Sequence, residues 1–188
     1  MFEALFTSTA LVALAEIGDK TMLLAIVLAT RLRRPLPIIA GIFFATILNH
    51  ALAAWVGSIA ADFFAGQTFR LVVAASFIAM GLWTLVPDRF DEDEAPAVSA
   101  RGAFLTTLVA FFIVEMGDKT QLATVALGAR YHDVLAVAAG TTLGMMIANA
   151  PAVLLGDALV KRVSLKAVRI AAAALFVAIG VWMLVQTL

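Results

Sequence analysis

The chain has no cysteine. Disulfides, thiolate nucleophiles and cysteine metal sites are excluded together, and cysteine usage says nothing of the redox compartment. Charge is scarce as well: Asp, Glu, Lys and Arg make up 14% of the 188 residues, against about 25% in a soluble domain. The 13 acidic and 13 basic residues cancel, so no global field draws nucleic acid. Only two histidines are present. The N-terminal apolar stretch has no basic segment before it and carries Glu3 instead, so no cleaved signal peptide is expected. Ser–His–Asp arrangements and glycine-rich phosphate loops are missing, which argues against an enzyme, and no resident cofactor is expected. Alternating ten-residue strand patterns are also missing, which disfavours a membrane barrel.

What remains is apolar. Hydrophobic residues reach 63% and the mean hydropathy is +1.04, too apolar for a soluble surface to cover. Residues 35–61, 71–87, 134–156 and 170–188 contain no Asp, Glu, Lys or Arg. Residues 4–29 are apolar except for Glu16, Asp19 and Lys20, and residues 102–129 except for Glu115, Asp118 and Lys119. Each window is near the roughly 20 residues that a helix needs to cross hydrocarbon. The expected fold class is therefore all-α and integral to a membrane, with six transmembrane helices. Nine of the 13 Lys and Arg residues fall in connectors 1–2, 3–4 and 5–6, and only Arg70 and Arg130 fall on the other side. By the positive-inside rule the first side is cytoplasmic and both termini lie outside.

The sequence repeats itself at an offset of 99 residues. Glu16-Ile17-Gly18-Asp19-Lys20-Thr21 falls on Glu115-Met116-Gly117-Asp118-Lys119-Thr120, Gly41 on Gly140, Phe77 on Phe176 and Trp83 on Trp182. The expected organisation is a first three-helix unit over 1–87, an acidic cytoplasmic linker over 88–101, and a second three-helix unit over 102–188. An odd number of spans per unit inverts the second against the first, the plan of many secondary transporters. A duplicated bundle with no transport role is the plainer alternative.

Both copies of the motif lie near the middle of a span. Each ionised side chain there costs roughly 2.5–3.5 kcal/mol on insertion scales, so the six must be paired, hydrated or bound to something. On an unbroken helix Glu16, Asp19 and Lys20 form one stripe at i, i+3 and i+4, with Thr21 on another side. The same holds for Glu115, Asp118, Lys119 and Thr120. Gly18 and Gly117 permit close helix approach or a local break. Four carboxylates and two lysines sum to −2, which a divalent cation neutralises. Carboxylate oxygens suit the hard ions Mg²⁺, Ca²⁺ and Mn²⁺. The rival reading is two Glu–Lys pairs that merely join helices. The lysines can serve as counter-ions when no metal is bound.

The paired Glu-x-Gly-Asp-Lys-Thr motifs, on spans 1 and 4 of a six-span duplicate, resemble the Gdt-type cation transporter family of Golgi manganese/calcium transporters and bacterial manganese exporters. The resemblance covers essentially the whole chain. It implies export of a divalent cation, Mn²⁺ first and Ca²⁺ second, from the cytoplasm in exchange for protons. It also implies that Glu16, Asp19, Glu115 and Asp118 are the cation ligands and that the membrane is a bacterial inner membrane. Cation, protons and lipid are the expected partners, with homo-oligomerisation left open. A six-span exporter of amino acids or small metabolites is the alternative; a membrane lipid phosphatase and an assembly protein are weaker ones.

Secondary signals are softer. Gln121 follows the second motif and can offer a carbonyl ligand. Asn49, His50 and Asn149 are mid-span polar residues that either line a pathway or tie helices together. Pro151 is expected to kink span 5. Trp83 and Trp182 read as interfacial anchors without a binding role.

Overall fold

A computed structural model describes residues 1–64, 66–87, 102–156 and 164–188. The acidic connector with Asp91–Glu94 lies outside the described residues. Among those described, the chain forms eight helices: α1 (Phe2–Glu16), α2 (Lys20–Leu32), α3 (Pro35–Phe63), α4 (Gln67–Thr84), α5 (Ala103–Glu115), α6 (Lys119–Tyr131), α7 (Val134–Leu155) and α8 (Leu165–Thr187). Helices α3, α4, α7 and α8 are long and apolar enough to cross a membrane. α7 continues through Pro151 to Leu155. With their apolar faces turned outward, these helices make the chain a multi-pass membrane protein.

The windows 4–29 and 102–129, expected to be continuous helices, are each two half-helices. α1 has 15 residues and α2, α5 and α6 have 13 each. At 1.5 Å per residue each half covers about 20 Å, short of the ~30 Å of hydrocarbon. The break is a type II turn. Ile17 has φ −67° and ψ 110°, Gly18 has φ 86°, and the Asp19 N–H donates to the Glu16 carbonyl at 3.0 Å. Met116 (φ −68°, ψ 116°) and Gly117 (φ 81°) repeat it, with Asp118 N–H donating to the Glu115 carbonyl at 3.1 Å. A type II turn needs positive φ at its third residue, which only glycine adopts without strain. The unbroken-helix stripe expected from the sequence is therefore wrong, and the glycine is the reason.

Contacts come in exchanged pairs at the 99-residue offset. A Cβ on Gly41 would meet the Phe104 carbonyl and Thr107, and one on Gly140 the Leu5 carbonyl and Ser8. Gly81 abuts the Ala173 carbonyl and Val177, while Gly180 abuts the Ala74 carbonyl and Ile78. Phe77 and Phe176, each other's counterparts, meet with centroids 6.3 Å apart and ring planes tilted by 40°. A local two-fold axis thus relates the first four helices to the last four in these contacts. Both chain ends lie on one face, hereafter the terminal face. Gln67 Nε2 donates to the Thr187 carbonyl at 3.1 Å, and Tyr131 Oη donates to Glu3 Oε1 at 3.3 Å.

Two apolar clusters flank the breaks. The one toward the terminal face joins Leu11, Phe77, Leu127, Val137, Phe176 and Met183, so it draws on α1, α4, α6, α7 and α8. The one toward the opposite face joins Met22, Leu28, Ile38, Ile42, Phe111 and Val153 from α2, α3, α5 and α7. On the terminal-face side α3 and α6 touch backbone to backbone. A Cβ on Gly57 would fall on the Val125 carbonyl oxygen, and one on Gly128 on the Ala54 carbonyl oxygen. Backbone cannot yield as a flexible side chain does, so Gly57→Val should destabilise the folded protein by about 3 kcal/mol or more. Thermal unfolding in detergent measures this; an unchanged melting temperature would contradict the packing.

Candidate cation site at the twin turns

Each turn ends one half-helix with a glutamate and starts the next with an aspartate. Asp19 and Asp118 occupy the N-cap positions of α2 and α6. An N-cap carboxylate ordinarily accepts a backbone N–H of the first turn; neither does so here. Both reach across to the other half instead. Lys20 Nζ lies 3.0 Å from Asp118 Oδ1, and Lys119 Nζ lies 3.3 Å from Asp19 Oδ1. These two ion pairs are counterparts under the 99-residue offset, so the local two-fold passes between them. The Glu–Lys pairing within one helix, weighed from sequence as mere glue, is replaced by Asp–Lys pairing between halves.

All four carboxylates are buried: Glu16 and Glu115 are 0% exposed, Asp19 and Asp118 4%. One ligand atom each from Glu16, Asp19 and Asp118 lies within 4.8 Å of the others. Glu115 joins through a shared hydroxyl, since Thr120 Oγ1 is 3.3 Å from both Glu115 Oε2 and Asp118 Oδ2. Thr21 Oγ1 donates to Glu16 Oε2 at 2.6 Å. The threonines, placed by the sequence on another side of a straight helix, therefore face the carboxylates because the turn swings α2 and α6 round. A hydroxyl has one proton, so Thr120 serves only one of its two carboxylates at a time.

Several buried acceptors have no hydrogen-bond partner among the described residues. Among them are Glu16 Oε1 on α1, Glu115 Oε1 on α5 and Asn149 Oδ1 on α7. Thr120 and Asn149 also approach the Glu16 carboxylate. An unsatisfied oxygen in a buried site is costly, and beside the carboxylates of Glu16, Asp19 and Asp118, gathered within 4.8 Å, such oxygens suit a hard cation better than an anion.

The supporting residues separate. Asn149 Nδ2 donates to the Met145 carbonyl at 3.1 Å, and its Oδ1 has no partner among the described residues. Asn49 Nδ2 donates to the Phe112 carbonyl at 3.1 Å and ties α3 to α5. The Gln121 carbonyl oxygen accepts from the Gly117 N–H at 2.6 Å, bracing the second turn. His50 is fully buried and neither ring nitrogen has a partner among the described residues. His132 Nδ1 sits 3.5 Å from Asp62 Oδ1 at the terminal face. Asp62 is 12 residues from His50 along α3, roughly 18 Å at the helical rise, so the two histidines do not form one site. Sequence reasoning missed Trp83, whose ring centroid lies 5.9 Å from Lys119 Nζ. No spacing in the sequence signals that contact. Trp182 instead carries Arg130, whose Cζ lies 4.4 Å from its centroid.

The family model for the divalent cation/proton antiporter GDT1 matches residues 4–92 and 103–188. A Vibrio cholerae serotype O1 protein named "Putative manganese exporter" is 49% identical over 177 residues, covering 94% of this chain and 88% of that protein. An Arabidopsis thaliana protein, GDT1-like protein 5, is 29% identical over 211 residues, covering 93% and 92%. GDT1-like protein 3 of Oryza sativa subsp. indica is 25% identical over 206 residues, covering 96% of this chain and 73% of its own. No solved structure matches the chain.

Proposed function

The chain belongs to the divalent cation/proton antiporter GDT1 family, and from that membership and the site geometry we propose that it exports Mn²⁺, and Ca²⁺ less readily, from the cytoplasm in exchange for protons. Cation transport rather than catalysis is the general activity; cargo, direction and coupling are the proposal. The carboxylates of Glu16, Asp19 and Asp118 carry it, because they bring ligand atoms from both halves within 4.8 Å of one another. The 49% identical relative's name supports manganese as the cargo.

The half-helices α1–α2 and α5–α6 act as two broken spans. With the four long helices they give six crossings, in two inverted units over 1–87 and 102–188 joined by 88–101. Glu16, Asp19, Glu115 and Asp118 hold the cation, with Asn149 and the two threonines assisting. In the empty protein Lys20 and Lys119 supply two of the positive charges that the carboxylates require. An arriving divalent ion takes over that role and releases both lysines from the aspartates. The halves then rock about the site and open it to the other side. Protons returning along their gradient occupy carboxylate oxygens and eject the ion. An amino-acid exporter would grip the substrate carboxylate with a half-helix end or with Lys20; here the N-termini of α2 and α6 each carry an aspartate at the cap, and Lys20 is engaged by Asp118.

Reconstituted protein tests this. Mn²⁺ uptake into vesicles should be driven by an outward proton gradient, collapse with an uncoupler, and be competed by Ca²⁺ at higher concentration. Divalent flux indifferent to the gradient, or amino-acid flux without metal, would overturn the proposal.

A further inference from the structure

Outside the buried motif, only two of the chain's Lys and Arg residues belong to the terminal face, Arg70 and Arg130. They come from different halves, in the first turn of α4 and the last turn of α6. Both line one cavity of about 610 Å³, with Asp62 of α3 and His132 beside them. Two guanidinium groups against one carboxylate leave this cavity net positive. The carboxylates of the face have other neighbours. Asp62 Oδ1 stands 3.5 Å from His132 Nδ1, Glu3 accepts from Tyr131 at 3.3 Å, and Asp133 Oδ2 lies 3.6 Å from the N-terminal ammonium. Arg130 is held in place without being neutralised. Its Cζ lies 4.4 Å from the Trp182 centroid and 5.2 Å from that of Tyr131, and its buried Nε has no hydrogen-bond partner among the described residues. A guanidinium fixed by aromatic rings and left with an unpaired N–H suits a phosphate. A divalent cation is repelled there.

The cavity has an apolar continuation. Phe69, Val73 and Ala129 line it and also line a groove of about 400 Å³ between α3, α4 and α6. This groove follows α4 down to Trp83. Val72, Trp83 and Leu122 on its wall are exposed, so it is open from the lipid side. Arg70 and Trp83 are separated by roughly 20 Å at the helical rise, somewhat more than half of the ~30 Å hydrocarbon layer. A positive chamber at the helix ends therefore leads into an apolar groove as deep as one leaflet. Those are the two parts of a phospholipid, an anionic head and an acyl chain. A free inorganic anion matches the chamber alone.

We propose that Arg70 and Arg130 hold the phosphate of an anionic phospholipid whose acyl chain lies in the groove between α3, α4 and α6. A net-negative head is preferred to a zwitterionic one, because the second brings an ammonium group up to the two guanidinium groups. The lipid site is distinct from the twin turns and stands whatever the cargo held there.

Native mass spectrometry tests the site without any flux measurement. Protein purified in detergent is mixed with equal amounts of phosphatidylglycerol and phosphatidylcholine of the same chain length. The unaltered protein should retain phosphatidylglycerol at least ~10-fold better, as two basic side chains near a membrane surface provide. Arg70→Gln should lower that preference about 5-fold, and adding Arg130→Gln should abolish it. Arg70 is exposed, so its loss leaves the fold intact, which circular dichroism checks. Val72→Trp fills the groove from an exposed position and should cut phosphatidylglycerol retention with both arginines in place. Equal retention of the two lipids by the unaltered protein, or a preference unchanged in Arg70→Gln, would overturn the site. Phosphatidylglycerol that excess inorganic phosphate displaces, with retention intact in Val72→Trp, would mark a free-anion site and overturn the lipid. Mn²⁺ flux enters none of these readouts, so a failure of the transport reading leaves them unchanged.

Discussion

Glu16→Gln should lower cation flux by about 100-fold, equivalent to roughly 2.7 kcal/mol, while leaving the protein folded. Glutamine keeps the shape of the side chain and its contact with Thr21, which lies 2.6 Å from Oε2. What it removes is one negative charge from a site of four carboxylates and two lysines. In the empty protein that removal is cheap, because replacing a buried charge by a neutral isostere relieves desolvation. The melting temperature without metal should therefore hold or rise. In the loaded state of the proposed transporter the loss is direct, since Glu16 Oε1 has no protein partner among the described residues and is proposed to meet the ion. Flux in vesicles and thermal melting, with and without Mn²⁺, separate the two effects. Flux within twofold of the unaltered protein would remove Glu16 from the site.

Lys119→Met should do the reverse. Its ammonium is buried between Asp19 at 3.3 Å and the Trp83 ring at 5.9 Å. Removing one member of a buried pair strands the other charge, at a cost of about 3–5 kcal/mol. A divalent ion restores the missing positive charge. The variant should thus melt well below the parent when empty and gain far more on adding Mn²⁺ than the parent does. Equal metal-induced shifts in the two proteins would mean that lysine and cation do not compete for one role. Lys20→Met should show a smaller version of the effect, because Lys20 is partly exposed and water screens its partner.

The sequence revealed the duplication, the apolar spans and the six charged residues without ambiguity, because composition and a constant offset need no geometry. It misplaced the threonines. A 3.6-residue period was carried through Gly18 and Gly117, where positive φ interrupts it. The clue was present: Gly-Asp before an apolar run is how many helices begin. Two separate observations, a glycine and an N-cap residue, had to be read as one break. The cross-half Lys–Asp pairs were beyond reach from sequence, since they depend on how two distant segments cross. Trp83 was assigned to the membrane interface on residue type alone, and only the packing of α4 against α6 brings it to Lys119. His50 and Asn149 share an offset position but not an environment: Asn149 approaches Glu16, while neither nitrogen of His50 has a partner among the described residues.

Twin bends at matching points also limit where the sequence can drift. Each sets its third residue at a positive φ, Gly18 at 86° and Gly117 at 81°, so a β-carbon at either place strains the bend. Drift is left to the residue before each glycine, and there the two copies already differ, Ile17 against Met116.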